Sequence, residues 1–197
     1  NMIDKIKAAA GNYKSYAGII VVIILIALVV TYVVSKVKLN KENCERIDEL
    51  YRDFPMISSI NPNQKEYQFM LRDYYVKTAY NCCAGGKFKN DYVNTCALKA
   101  CIKQGARCLD FEIYSVNGNP VVATSSVPNV DIKETYNSIE FNEAMNVVNE
   151  FAFSGSTCPN PKDPLILNFR IKSEHADICD KMASTIYNTY GKSSRLL

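Results

Sequence analysis

Two carboxylates separated by a single residue sit inside an otherwise apolar stretch, Gly105-Ala-Arg-Cys-Leu-Asp-Phe-Glu-Ile-Tyr114, and this limits the fold more tightly than any other feature. A glycine just past a helix end takes the left-handed conformation at no steric cost, so Gly105 is expected to close a helix and open a buried strand. Side chains of a strand alternate between its faces. Cys108, Asp110, Glu112 and Tyr114 then share one face, and Leu109, Phe111 and Ile113 the other. The second face suits packing beneath helices. The first carries two acids into a core, which is costly unless each meets a cation or a set of donors. The strand therefore calls for a metal ion or a basic side chain facing Asp110 and Glu112.

A second constraint lies near the start of the chain. From Ser15 to Ser35 no residue is charged, and Gly18 to Val34 is almost wholly Ile, Val, Leu and Ala. About 20 apolar residues span a bilayer as a helix. Tyr13, Tyr16 and Tyr32 stand near the ends of the run, where amphipathic rings favour the interface. A cleaved signal would have a shorter apolar region and a small-residue cleavage site, and a soluble helix would have a polar face. Residues 15–35 are thus expected to be a transmembrane helix, with 1–14 as a short basic lead-in. Lys5, Lys7 and Lys14 balance Lys36, Lys38 and Lys41, so the distribution of positive charge does not choose an orientation.

Net charge is +3 with 22% charged residues, too balanced to point to nucleic acid. All eight cysteines lie beyond residue 43, on one side of the apolar run. An even number confined to one side fits an oxidising, non-cytosolic compartment for the C-terminal part, with Cys82, Cys83 and Cys158 as the expected disulfide partners. No CxxC occurs and the one histidine is His175, which argues against zinc.

Residues 36–66 read as a charged stalk helix, Lys41 to Phe54, and then a Ser-, Asn- and Pro-rich linker. The folded domain is expected from 67 to 197. Within it Tyr74 to Tyr80 is a strand candidate. Asp91 is expected to cap a helix running to Gln104. Asn117-Gly118 is a hairpin turn leading to a short strand from Pro120 to Thr124. Asn137 is expected to cap a helix whose third residue is Glu140, with an apolar stripe of Phe141, Met145, Val148 and Ala152. Leu165 to Ile171 is a further buried strand with Ile166, Asn168 and Arg170 on one face. A helix spans about Asp177 to Tyr190, and Leu196-Leu197 is a possible strand start. Strands alternating with helices indicate an α/β fold with a largely parallel sheet.

The order of these pieces resembles the X domain of phosphatidylinositol-specific phospholipase C. The likeness is carried by Asp73-Tyr-Tyr-Val-Lys-Thr-Ala-Tyr-Asn-Cys82, by Ala100 to Tyr114, by Pro120 to Val127, by Glu143 to Phe153 with Pro164 to His175, and by Gly191 to Leu197. It implies the first half of a (β/α)8 TIM-barrel-like domain behind a single transmembrane helix. An open parallel sheet of that kind would leave edges for more chain or a partner to cover.

The resemblance also implies a degenerate site. The family's two catalytic histidines fall on Tyr80 and on Ser126, or Ser125. Its calcium ligands fall on Asn81, on Asp110 and Glu112, and, with the strand aligned without a gap, on Arg170; an alignment anchored at His175 instead needs an insertion and leaves Ser173 or Glu174 near the fourth position. An arginine there repels calcium and can pair with both acids. The expectation is a salt bridge in place of a metal, no cofactor, and a catalytically inactive, membrane-anchored structural or interaction protein. Similar domains without catalytic residues occur in large DNA viruses, which implies a virion minor capsid or inner-membrane component with capsid or membrane proteins as partners. The alternatives are a calcium-dependent phosphoinositide phosphodiesterase and an inositol-lipid headgroup-binding module.

Overall fold

The structure is a computed structural model that describes residues 2–57, 59–61, 63–191 and 195–196. It divides into two compact units, Asn1–Leu39 and Asn40–Leu197. Helix α1 (Met2–Tyr51) runs from the first into the second. In the first unit every side chain from Tyr16 to Ser35 is exposed. With Ile, Val and Leu facing outward on all sides, this is the one helix among the described residues that is long and apolar enough to cross a membrane.

The second unit holds a five-stranded mixed sheet, β1 (Thr78–Ala79), β2 (Cys108–Val116), β3 (Asn119–Val122), β4 (Ile139–Glu140) and β5 (Ile166–Ile171), and helices α2 (Thr95–Lys103), α3 (Phe141–Phe151) and α4 (Asp177–Tyr190). Strand β2 is its centre. β5 runs parallel along it from Cys108 to Ile113, and β1 pairs in parallel at Cys108 and Leu109. β3 returns antiparallel to β2, and β4 lies antiparallel to β3. Asn117 and Gly118 both have positive φ, 52° and 72°. That backbone matches the right-handed twist of the flanking strands and fixes the pairing of Val116 with Asn119. Among the described residues β5 pairs only with β2 and β4 only with β3, so the sheet does not close on itself.

Leu109, Phe111 and Ile113 are fully buried with Leu98 and Ile102 of α2, Phe141, Met145 and Val148 of α3, and Ile178 of α4. Each such side chain contributes roughly 1.5–3 kcal/mol when taken from water. The rings of Phe111 and Phe141 both meet Phe169, at 5.7 and 5.3 Å between centroids. This packing pins β5 against β2 and thereby sets the register of everything on the opposite face.

Several expectations change. The disulfide joins Cys44 to Cys96, while Cys82, Cys83 and Cys158 are buried free thiols. The reason is that the stalk belongs to the domain. Asn43 is buried, its Nδ2 donates to Asp91 Oδ1 at 2.7 Å, and the compact unit starts at Asn40. Asp91 is therefore not a helix cap. It is buried and accepts from Asn43 and the N–H groups of Lys87 and Tyr92, and Asn94 caps α2. Asn137 likewise caps nothing. It pairs with both backbone groups of Val93, and α3 begins after Glu140. The strand expected over Tyr74–Tyr80 shrinks to Thr78–Ala79, with Tyr75 fully exposed. Leu196 is in no strand, and Leu197 lies outside the described residues.

Candidate functional site

The parallel register of β2 and β5 places Arg170 beside Glu112 and Asn168 beside Asp110. With a side-chain period of two, all four project from one face. Arg170 Nε donates to Asp110 Oδ1 and Oδ2 at 3.0 and 3.2 Å, and Nη2 donates to Asp110 Oδ2 at 2.8 Å. Nη1 donates to Glu112 Oε1 at 2.6 Å, and Nη2 also donates to Asn81 Oδ1 at 2.6 Å. One planar guanidinium thus joins both acids and the asparagine that follows β1. Such bidentate, charge-assisted contacts are the strong ones in proteins.

The remaining lone pairs are filled as well. Asp110 accepts from Asn168 Nδ2 at 2.6 Å and from the Asn81 N–H at 3.1 Å. Glu112 Oε2 accepts from the Ser125 N–H at 3.0 Å and from the Tyr114 hydroxyl at 3.3 Å. Asn81 reaches its place through a left-handed backbone, φ 47°, which asparagine tolerates better than most residues. Its Nδ2 is buried with no hydrogen-bond partner among the described residues.

The electrostatics follow from this geometry. Burial pushes the Asp110 carboxyl up, but hydrogen bonds from Arg170, Asn81 and Asn168 and the Arg170 charge outweigh it, so the group lies below its ordinary value. Hydrogen bonding to Asp110 raises Arg170 further. Burial, then the neighbouring Glu112, pushes the Tyr114 hydroxyl up. Asp110 is therefore charged at neutral pH, and its partner Arg170 is charged throughout.

The positions expected for acid–base chemistry do other work. Tyr80 lies over the outer face of the guanidinium, its ring centroid 4.4 Å from Arg170 Cζ, and touches Phe88 edge-on. Ser126 is exposed, and its Oγ donates to Glu134 Oε2 at 2.5 Å. Ser125 Oγ donates to the same oxygen at 3.2 Å. Lys89 lies 2.7 Å from Glu134 Oε1. The Lys89 contact first, and then the Ser126 donors, pull Glu134 down to about 2. Tyr80, Asn81, Asp110, Glu112, Ser125 and Arg170 therefore form one cluster, with Ser126 beside it. Glu134 and Lys89 carry no signal in sequence, because they lie on loops without periodicity. Among the described residues no group of three or more His, Cys, Asp or Glu side chains is arranged to hold a metal ion. His175 is exposed on the loop before α4.

Residues 67–194 match the family model described as phosphatidylinositol-specific phospholipase C, X domain. The crystal structures of PLC21 from L. pealei and from S. officinalis each superpose with a TM-score of 0.51 at 16% sequence identity. Each match covers 63% of this chain and 14% of the other, so the chain spans about 14% of the length of those proteins and the likeness is one of fold. No curated protein matches the chain.

Proposed function

The chain belongs to the phosphatidylinositol-specific phospholipase C X-domain family, and on that premise we propose that it is a membrane-anchored pseudoenzyme serving as a structural or interaction component. The observation that carries this reading is the guanidinium of Arg170 bound to Asn81, Asp110 and Glu112 together. These are the positions that the family resemblance assigns to calcium. Calcium needs about six to eight oxygen ligands. Here Asn81 Oδ1, both Asp110 oxygens and Glu112 Oε1 already accept from one permanent cation. A divalent ion cannot share that space, so the residues do not fit the metal.

Proton transfer lacks its groups too. Phosphodiester cleavage needs an acid and a base that change charge near neutral pH. The corresponding positions hold Tyr80 and Ser126, and neither residue type does so unaided. Tyr80 instead covers the ion pair. What remains is a shaped surface behind a tether. We read the mixed sheet as the opening part of a (β/α)8-type barrel and α1 as a single-pass anchor. The Cys44–Cys96 disulfide supports placing the folded unit on the non-cytosolic side. An inert domain held at a bilayer suits a minor capsid protein that links an inner virion membrane to its shell.

The test is hydrolysis of inositol phospholipid vesicles by the full chain, with calcium and with a chelator, beside co-purification from assembled particles. No calcium-dependent release of inositol phosphate, together with recovery in a capsid or membrane-protein complex, is expected. Calcium-dependent turnover would remove the pseudoenzyme reading, and absence from every assembly would remove the structural one.

A further inference from the structure

Ahead of the parallel strands lies a groove that the ion-pair site does not use. Its walls come from the residues just before the parallel strands: Val76 and Lys77 before β1, Arg107 before β2, and Pro164 before β5. The candidate site gathers residues further along or beyond the same strands, Asp110 and Glu112 within β2, Arg170 within β5 and Asn81 after β1, so it is set apart from the groove along the strand direction. The groove encloses about 550 Å³, within the range of pockets that hold small organic ligands. One side is apolar, formed by Ile57, Ile60, Tyr67, Phe69, Leu71 and Ile166. Phe69 and Leu71 stand 63% and 53% exposed. Gly105 lets the Ile57 wall approach closely, since a Cβ there would come within 3.2 Å of the Ile57 carbonyl oxygen.

The other side is cationic. Arg107 is 5% exposed, yet among the described residues it forms no ion pair. Its guanidinium donates to the carbonyl oxygens of Ala152, Asp163 and Pro164 and to Cys158 Sγ. Carbonyl dipoles and the Phe153 ring, 5.8 Å from Arg107 Cζ, hold the cation in place, but no carboxylate among the described residues neutralises it, an expensive state for a buried group. Lys77 Nζ donates to the Gln104 carbonyl oxygen at 2.8 Å and lies 5.7 Å from the Phe54 ring centroid, with no carboxylate paired to it among the described residues, and Lys162 is exposed at the rim. Among the described residues the one carboxylate in the lining is that of Asp163, which accepts from Ser59.

We infer that this groove binds a single-chain anionic amphiphile, its head group neutralising Arg107, Lys77 and Lys162 and its hydrocarbon lying along Tyr67, Phe69 and Leu71. A free anion would leave the apolar wall wet, and a neutral hydrocarbon would leave the cations unpaired. Only a ligand with both parts satisfies both sides. A chain with a helix able to cross a membrane has such molecules within reach.

The experiment uses the full chain in phosphatidylcholine nanodiscs and three photoreactive probes of matched chain length: palmitic acid, lysophosphatidic acid and hexadecanol. Cross-linked residues are mapped by mass spectrometry. The acidic probes are expected to label the stretch from Tyr67 to Leu71, and their relative yields tell a carboxylate head from a phosphate head. Hexadecanol is expected to label it about tenfold less, the loss that accompanies about 1.4 kcal/mol of binding energy. Lys162→Gln and the double variant Lys77→Gln/Lys162→Gln should reduce labelling by the acids and not by the alcohol. Leu71→Trp should block all three. Equal labelling by acid and alcohol, labelling unchanged in both lysine variants, or no label between Tyr67 and Leu71 would each overturn the assignment.

Discussion

Replacing Arg170 with methionine probes the site most sharply on the stability side. The substitution keeps a long side chain on β5 and removes the charge. It leaves Asp110 and Glu112, with side chains only 6% and 4% exposed, facing one another's charge without a cation. Asp110 keeps its donors from Asn81 and Asn168, and Glu112 keeps those from Ser125 and Tyr114, so neither is stripped bare. Breaking a buried pair by removing one partner costs about 3–5 kcal/mol. With a urea slope of about 2 kcal/mol per molar for a unit of this size, the midpoint should fall by about 1.5–2.5 M. The assay is urea unfolding of the full chain followed by tyrosine fluorescence at several pH values.

The pH dependence has a definite sign. In the native chain Asp110 lies below its ordinary value, so its pairing contributes stability above about pH 4, lost as pH falls through the folded value. In Arg170→Met the acids are buried without a cation, and their folded values rise above the unfolded ones. Their penalty is then present at neutral pH and relieved on acidification. The gap between the two proteins should narrow from about pH 7 to about pH 4. The triple variant Asp110→Asn/Glu112→Gln/Arg170→Met should recover most of the loss, because removing a whole buried ion cluster is often near neutral. A single variant within about 0.5 kcal/mol of the native chain at pH 7, a spread typical of surface substitutions, with no change in the gap on acidification, would refute the reasoning.

Other outcomes follow from the same structure. Opening Cys44–Cys96 by double serine substitution should cost up to about 4 kcal/mol, from closure of a loop with sequence separation 52, read as a lower urea midpoint that reducing agent reproduces in the native chain. Asp91→Ala strands Asn43 and the N–H groups of Lys87 and Tyr92 and should cost about 2–4 kcal/mol in the same assay. Tyr80→Ala removes the ring 4.4 Å from the guanidinium and should cost about 0.5–2 kcal/mol in chemical unfolding, with no loss of any activity, since Tyr80 is not a proton donor in this account.

Much of this architecture could be read from residue order. Strand β2 was legible because its apolar and acidic residues alternate with a period of two. The facing of Arg170 with Asp110 and Glu112 followed once β5 was taken as an unbroken parallel strand. Helix α3 showed its apolar stripe, and α4 was expected over the residues it occupies, Asp177–Tyr190. The failures share one cause, contacts distant in sequence. Asp91 and Asn137 have the chemistry of caps, but a buried Asn43 and the backbone of Val93 claim them. The cysteine pairing depends on residues 40–51 belonging to the folded unit, which their charged, helix-forming sequence does not reveal. Tyr74 and Tyr75 have strand-like chemistry but no neighbouring strand, so β1 begins only where Lys77 O meets the N–H groups of Arg107 and Cys108.

The most direct measurement is a calorimetric calcium titration of the full chain beside Arg170→Glu, which restores a carboxylate at the fourth ligand position. If the guanidinium of Arg170 stands where a relative would hold its metal, the native chain shows no saturable heat and no thermal shift at millimolar calcium, while the variant gains both. Saturable calcium binding by the native chain that is lost in Asp110→Asn would contradict the account.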